Sequence, residues 1–300
     1  MRRATVLLAT HNCEAWLPEQ LASLFRQREV KVAVVASDDG SVDATPSILN
    51  QAARDHDLHV LASPSERFGN ANRNFLRLIA DAPLGDAQYV ALSDHDDVWF
   101  DDKLSSAVGS IERLGLDAYS SDVIAFWPDG TRKAIVKSRP QRKFDHLFES
   151  AGPGCTFVFR RQRFDELRQW VRAQGTALHA VKVHDWLIYA YARTHGWRWH
   201  IDSRPGLLYR QHARNELGAN AGVAAAGRRL HQARDGRYRR DILAIAKAVG
   251  EEGLLVQRLR RLSLLDRVSL ALRAGDCRRR RREALALALM FLTMSGSRDL

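Results

Sequence analysis

Short apolar runs alternate with segments of helical periodicity through the first hundred residues, and this alternation limits the fold more than any other feature. The apolar runs occupy 5–9, 30–35, 58–61 and 89–92. Apolar residues recur at helical spacing between them, at 16–25, about 41–54 and 70–80. Continuous apolar runs are typical of strands buried on both faces, and intervening helices let such strands pair in parallel. The sequence therefore predicts an α/β fold with a mostly parallel, doubly wound sheet.

The second half of the chain is less regular. Strand patterns occur at 117–126, 155–160, 197–201 and 206–210. The basic segment 128–146 has little pattern and is interpreted as a loop, whereas His184-Asp185-Trp186 opens a helix. From about residue 222 the chain has the composition of helices rich in Ala, Leu and Arg. We expect two parts, an α/β domain over 1–220 and a basic helical C-terminal extension over 221–300.

Positive charge is concentrated in that extension. Residues 223–300 contain 18 Lys and Arg against 8 Asp and Glu, a net charge of +10, whereas 1–222 contain 28 against 27. Five successive arginines, Arg278 to Arg282, precede the apolar segment 284–294. Such a segment packs on the body with its arginines in water, or lies on anionic lipid as an interfacial helix pair. No nucleic-acid-binding module accompanies the charge, so nucleic acid is not an expected partner.

Cysteine usage and hydropathy indicate a cytoplasmic protein. The three cysteines lie far apart without a CxxC pair, which fits a reducing compartment and argues against disulfides or a thiolate zinc site. The apolar run near the N-terminus is too short for a signal peptide and is interpreted as the first core strand. The longest apolar stretch, 284–294, would rise only about 16 Å as a helix, so we expect no membrane-spanning segment.

Polar residues follow three of the predicted strands. They are Thr10-His11-Asn12, Ser37-Asp38-Asp39-Gly40-Ser41 and Ser93-Asp94-His95-Asp96-Asp97. Ligands of open parallel sheets bind at the carboxyl ends of the strands, so these segments predict a binding site at one sheet edge. The alternative is that they only form turns.

The carboxylates of Asp94, Asp96 and Asp97 would repel one another without a positive charge among them. Hard divalent ions such as Mg²⁺ or Mn²⁺ take oxygen ligands and share them with phosphates, so this segment predicts a metal and diphosphate site. The chain has no GxGxxG after its first strand and no GxxxxGK[ST], which disfavours dinucleotide oxidoreductases and P-loop enzymes.

The motifs taken together resemble a known family. Ala9-Thr10-His11-Asn12, Ser37-Asp38-Asp39-Gly40-Ser41-Val42-Asp43 and Ser93-Asp94-His95-Asp96-Asp97-Val98-Trp99 resemble the family 2 glycosyltransferases of GT-A fold in order and spacing. Further matches resemble the bacterial rhamnosyltransferase-like branch, at Lys103, 68–75, 184–186 and 209–215. The resemblance covers about residues 3–218. It departs from the common pattern at His11, His95 and His184.

The resemblance implies inverting transfer of a sugar from a nucleotide-diphosphate donor to a hydroxyl group. It implies that Thr10, Asn12 and Asp39 hold the base and ribose with support from Asp38, and that Arg73 lies near the nucleotide. It also implies that Asp94 binds ribose or metal.

The remaining roles concern the reacting groups. The resemblance implies that Asp96 is the principal metal ligand and that Arg210 and His212 face the diphosphate or its metal. It implies that Asp185 is the general base. Local alternatives remain open: Asp185 as a helix cap, His212 as a structural histidine and Arg73 as a solvated helix residue.

The sequence does not determine the donor or the acceptor, and rival functions are compatible with it. The branch suggests dTDP-rhamnose, with UDP-sugars as the alternative, and a polysaccharide or lipid-linked acceptor at the inner face of a bacterial membrane. A homo-oligomer is compatible with the sequence. Rival enzymes that pair carboxylates are nucleotidyltransferases and glycoside hydrolases. The non-enzymatic rival is an inactive scaffold that binds membrane or a partner through its basic tail.

Overall fold

A computed structural model describes residues 1–212 and 236–294. These residues form two compact units. The first unit contains 1–138, 152–176 and 197–212, and the second contains 139–151, 177–196 and 236–294. The predicted domain boundary at 220 lies outside the described residues. None of the helices in the described part of the chain is both long and apolar enough to cross a membrane.

The first unit is built on a seven-stranded sheet with the order β10-β6-β9-β4-β1-β2-β3. Its strands are β1 (Arg2–Thr10), β2 (Val30–Asp38), β3 (Leu58–Val60), β4 (Tyr89–Ser93), β6 (Ala118–Ser121), β9 (Val158–Arg160) and β10 (Trp199–Asp202). Strand β9 runs antiparallel to β4 and β6, and the other pairs are parallel. The predicted α/β fold with a mostly parallel sheet is confirmed.

A smaller sheet has the order β5-β11-β7-β8. Its strands are β5 (Val98–Trp99), β7 (Val123–Phe126), β8 (Arg132–Ile135) and β11 (Leu207–Arg210). The segment 117–126, predicted as one strand, therefore divides between two sheets at Asp122. That carboxylate accepts hydrogen bonds from the backbone of Lys137 and Ser138. The segment 128–146 is not all loop, because β8 pairs antiparallel with β7.

Five α-helices belong to the first unit over its described residues. They are α1 (Leu17–Phe25), α2 (Thr45–Asp55), α3 (Ala71–Asp81), α4 (Lys103–Leu114) and α5 (Arg161–Gln174). Asn70 caps α3, since its side chain accepts a 2.9 Å hydrogen bond from the Arg73 amide. Central strand β1 is buried on both faces at Val6, Leu7 and Leu8, which explains its continuous apolar sequence.

The second unit is helical. Its helices are α6 (His184–Thr194), α7 (Arg237–Ala248), α8 (Leu254–Arg261), α9 (Leu264–Leu272), α10 (Ala274–Cys277) and α11 (Arg281–Thr293). A capping box starts α9, in which Ser263 and Asp266 each bond the other's backbone N–H. The helical character predicted after residue 222 is confirmed over 237–293.

The five-arginine run divides between the core of the second unit and its surface. Arg279 is buried, with its guanidinium 3.1 Å from Glu149 and 3.4 Å from Asp145. Arg278 donates a 2.8 Å hydrogen bond to the Tyr238 hydroxyl, whereas 280–282 are exposed. Both interpretations of the run, arginines in water or on lipid, are therefore wrong for Arg279, because buried carboxylates hold it in the interior.

Candidate active site

The carboxyl ends of β4, β1 and β2 meet at one edge of the large sheet. Thr10 of β1 is paired with Asp38 of β2, and Leu8 of β1 is paired with Ser93 of β4. The three polar segments that follow these strands are therefore neighbours, as the sequence predicted from parallel pairing.

Thr10 and Asp38 form one side of the site. The Thr10 hydroxyl lies 2.9 Å from Asp38 Oδ1, which accepts a second bond from the Ser41 hydroxyl at 2.6 Å. Asp38 Oδ2 accepts from the Ser41 amide at 2.8 Å. Thr10 is buried and Asp38 is half-buried, so their main contribution is to fix the turn that starts at Asp38.

Asn12 adopts a left-handed backbone conformation with φ of 44°, which asparagine tolerates better than most residues. Its side-chain oxygen accepts from the Val42 backbone amide at 2.9 Å, and its backbone amide donates to the Ser41 hydroxyl at 2.8 Å. The neighbouring His11 Nε2 lies 2.8 Å from the Arg67 guanidinium. The Asn12 contacts tie the end of β1 to the segment after β2, and the His11 contact ties it to the segment between β3 and α3.

Asp39 is buried and holds the segment before α3. Its two oxygens accept hydrogen bonds from the backbone amides of Phe68 at 2.5 Å and Gly69 at 2.9 Å. Gly69 has φ of 73°, a conformation that favours glycine. Each carboxylate oxygen retains a second lone pair, so Asp39 remains able to accept a bond from a ligand.

Arg73 lies in the first turn of α3. Its Nε is buried and has no hydrogen-bond partner among the described residues. A buried donor without a partner is costly unless a ligand or water completes it. This observation favours the nucleotide role predicted for Arg73 over a solvated helix position.

Asp96 and His212, which are 116 residues apart in the chain, are in direct contact. His212 Nε2 lies 2.7 Å from Asp96 Oδ2, and both side chains are about nine-tenths buried. Burial works to raise the pKa of Asp96, but the bond from His212 and the neighbouring histidines outweigh it and lower that pKa. Asp96 is therefore ionised at neutral pH.

An indole covers the imidazole of His212. Trp16 stacks on His212 with a ring separation of 4.0 Å and lies 6.4 Å from His95. His95 Nδ1 lies 3.2 Å from the Ala9 carbonyl oxygen, and burial lowers the pKa of His95. Sequence reasoning missed Trp16, because its place at the start of α1 carries no chemical signal.

Asp97, the residue after Asp96, is completely buried. Atoms of Asp94, Asp97 and Cys155 lie within 4.8 Å of one another. Burial, and then the charges of Asp96 and Asp94, raise the pKa of Asp97 well above its usual value. Asp97 therefore carries less negative charge than a solvated aspartate, which relieves part of the predicted repulsion.

Lys103 is a buried lysine near the cluster of Asp94, Asp97 and Cys155. Its Nζ lies 3.3 Å from the centre of the Trp99 ring and has no hydrogen-bond partner in the described part of the chain. Burial lowers the pKa of Lys103 to about 7, against the opposing effect of Cys155 and Asp97. The sequence motif included Lys103, but its burial could not be predicted from position alone.

Arg210 approaches the same cluster from β11. Its backbone amide donates to Asp97 Oδ1 at 3.3 Å and its Nε donates to the Asp96 carbonyl oxygen at 2.8 Å. The guanidinium also pairs with Glu19 and lies 4.6 Å from the centre of the Phe126 ring. Arg210 therefore fixes the backbone that carries the two aspartates, in addition to any contact with a ligand.

Asp185 belongs to the second unit. It lies half-buried in the first turn of α6, where the helix dipole favours a negative charge. The N-cap residue is Val183, so the interpretation of Asp185 as the helix cap is wrong. Trp186 beside it donates a 2.9 Å hydrogen bond to the His146 carbonyl oxygen, which fixes this end of α6.

The first unit has the fold of a GT-A glycosyltransferase. In solved structures, S. aureus TarS 1-349 in complex with UDP matches 91% of this chain and 71% of that chain, with a TM-score of 0.56 and 16% identity. The same protein in complex with UDP-GlcNAc matches 96% and 80%, with a TM-score of 0.56 and 15% identity. The predicted GT-A fold with a helical C-terminal extension is confirmed.

Sequence comparisons identify the family. The model of glycosyl transferase family 2 matches residues 5–168. A dTDP-rhamnosyl transferase, RfbG of Shigella flexneri, is 35% identical over 286 residues, which are 95% of this chain and 99% of that protein. An uncharacterized glycosyltransferase, the MG025 homolog of Mycoplasma pneumoniae, is 29% identical over 96 residues, 31% of each chain. The chain belongs to glycosyltransferase family 2, and the predicted likeness to bacterial rhamnosyltransferases is confirmed.

Proposed function

We propose that this glycosyltransferase moves a sugar, with inversion, from a nucleotide-diphosphate donor to a hydroxyl group of a polysaccharide or lipid-linked acceptor. The favoured donor is dTDP-rhamnose, because the relative that spans nearly the whole chain is a dTDP-rhamnosyl transferase. A UDP-sugar is the second candidate, since TarS of similar fold was solved with UDP-GlcNAc. The observation that carries the proposal is the Asp96–His212 pair at the sheet edge beside Thr10, Asp39 and Arg73.

The side chains at this edge fit a divalent cation. Asp96 is ionised and His212 offers an imidazole nitrogen 2.7 Å from it, whereas the neighbouring Asp94 carboxylate groups with Asp97 and Cys155. Oxygen and imidazole ligands suit Mg²⁺ or Mn²⁺. We assign Asp96 and His212 as ligands, with Asp94 shared between metal and ribose. Such an ion, when bound, neutralises charge on the departing diphosphate.

The chain's own residues supply the rest of the reaction. Arg73 has a buried donor without a partner, and it would bind the nucleotide or its phosphates. Arg210 would add positive charge where the diphosphate leaves. Asp185 would take the proton of the acceptor hydroxyl while that oxygen bonds to the sugar's anomeric carbon and the bond to diphosphate breaks. A single displacement of this kind inverts the anomeric configuration.

Two rival functions remain less well supported. A nucleotidyltransferase would usually have a glycine- and lysine-bearing phosphate loop near the first strand, and the sequence has none there. An inactive scaffold would not need Asp39, Asp96 and Asp185 together, and all three are present. We place the reaction at the inner face of the bacterial membrane, where a lipid-linked acceptor would be presented.

Calorimetric titration of dTDP, UDP and GDP, each with and without Mn²⁺, tests the donor site. We expect one of the first two to bind only with metal, and we expect Asp96→Ala to abolish that binding. Asp101→Ala is the matched control, since Asp101 lies on the following turn and pairs with Arg28 at 3.0 Å. Absence of binding by every nucleotide, or equal binding by the Asp96 and Asp101 variants, would contradict the proposal.

The general base is tested by Asp185→Asn. The amide cannot accept the hydroxyl proton, so kcat should fall by about 10²- to 10⁴-fold while the nucleotide Kd stays unchanged. Single-turnover transfer and calorimetry measure the two quantities separately. An unchanged kcat would remove Asp185 from the chemistry.

A further inference from the structure

Exposed leucines are concentrated on two helices of the second unit. Seven of the ten large apolar side chains that are exposed in the described part of the chain belong to α9 and α11. They are Leu264, Leu265, Val268 and Leu272 on α9, and Leu285, Leu289 and Leu292 on α11. We call these seven residues the leucine surface. Clusters of exposed apolar side chains of this kind mark interaction sites in soluble proteins.

Helical spacing puts each set on one face. Positions 264, 265, 268 and 272 fall within an arc of about 100°, and so do 285, 289 and 292. The two helices pack against each other through other residues. Leu270 of α9 and Leu287 and Phe291 of α11 are buried, and Phe291 lies edge-on to Phe148 at 5.9 Å. The internal packing of the unit is therefore satisfied without the leucine surface.

Arginines border the leucine surface. Arg281 and Arg282 lie at the start of α11 on the same arc as its exposed leucines, and Arg273 directly follows Leu272. All three are exposed. Residues 236–294 contain 14 Lys and Arg against 6 Asp and Glu, a net charge of +8. An apolar helix face with arginines at its border suits the boundary between anionic headgroups and acyl chains.

A second copy of the chain fits this surface less well. A twofold contact would set the same patch on both sides and bring two segments of charge +8 together. Anionic lipid instead supplies the complementary charge. We propose that the leucine surface of α9 and α11 docks the enzyme on an anionic membrane, with α11 lying in the plane of the interface. This inference does not depend on the identity of the donor or on the proposed catalytic residues.

Vesicle flotation with the full-length chain tests the proposal. We expect binding to vesicles of phosphatidylcholine and phosphatidylglycerol at 7:3, little binding to phosphatidylcholine alone, and a marked loss in 0.5 M salt. The double variant Leu265→Ser and Leu289→Ser should bind at least tenfold more weakly. Arg281→Gln with Arg282→Gln should also lose roughly tenfold. Val42→Ser, which removes an exposed valine of the first unit, is the matched control and should bind like the wild type.

Three results would overturn the proposal: no binding of the wild type to anionic vesicles, equal binding by the leucine variant, or light scattering showing a dimer that the leucine variant dissociates. The last would assign the surface to a second copy. Far-UV circular dichroism confirms that the variants fold. Nucleotide titration of the same samples separates this outcome from the proposed function, because a chain that binds nucleotide without vesicles loses only the docking surface.

Discussion

Replacing Arg279 by methionine tests whether the buried arginine holds the second unit together. The Arg279 side chain is 1% exposed, and its carboxylate partners Asp145 and Glu149 are 0% and 5% exposed. Its backbone amide also donates to Glu149 at 2.8 Å. Methionine replaces the apolar stem of the arginine but has no donor, so the variant leaves two buried carboxylates with one cation fewer.

The magnitude follows from the partners that remain. Asp145 keeps Arg193 at 2.8 Å, whereas Glu149 keeps only the more distant Arg278 at 3.9 Å among its ion pairs in the described residues. Burial already raises the pKa of Asp145 against the opposing effect of Arg193 and Arg279. Removing one partner from a buried ion pair costs about 3–5 kcal/mol. We expect Arg279→Met to lower the free energy of unfolding by about 4 kcal/mol.

Arg280→Met is the matched control. It removes the same charge one residue further on, where the side chain is 43% exposed and lies 3.9 Å from Glu283. Exposed pairs of this kind contribute about 0–1 kcal/mol. Urea unfolding followed by tryptophan fluorescence and circular dichroism compares the two variants with the wild type. Equal stabilities of the two methionine variants would refute the reasoning that burial, and not membership of the arginine run, determines the role of Arg279.

Two further predictions concern the first unit. Asp39→Asn replaces one of the two oxygens that accept from the Phe68 and Gly69 amides by an NH₂ donor. We expect the free energy of unfolding, measured in urea, to fall by about 1.5–3 kcal/mol and nucleotide binding to weaken. An unchanged free energy of unfolding would contradict this prediction. Burial lowers the pKa of Lys103 to about 7, against about 10.4 when unfolded, so the unfolded chain binds one more proton between these values. The free energy of unfolding of the wild type should therefore rise relative to that of Lys103→Met by about 1.4 kcal/mol per pH unit from pH 7.5 to 9.5. Urea unfolding at several pH values measures both, and the same pH dependence in the two proteins would exclude this prediction.

Local periodicity was sufficient to predict the sheet edge. Continuous apolar runs separated by helices require parallel pairing, and parallel pairing puts Thr10, Asp38 and Asp94 at the same end of neighbouring strands. This consequence needs no knowledge of side-chain packing. The ordered motifs likewise identify the family, because spacing along the chain is a property of the sequence.

Periodicity was insufficient where a short segment changes partners. Residues 117–126 look like one strand, yet β6 pairs in the large sheet and β7 in the small one. The division falls at Asp122, whose carboxylate accepts hydrogen bonds from the backbone amides of Lys137 and Ser138. Apolar patterns predict that a residue is buried and do not predict which element covers it.

The sequence by itself determined the fold class, the position of the acidic cluster and the family. Only the tertiary structure decided that His212 meets Asp96, that Trp16 covers His212 and that Arg279 points inward while Arg280 points outward. Each of these three contacts depends on which distant segment packs against a residue. Arg279 and Arg280 are neighbouring residues of the same type, so nothing in the local sequence predicts which of them is buried. Periodicity is a local property, whereas ion pairs and burial follow from contacts between segments far apart in the chain.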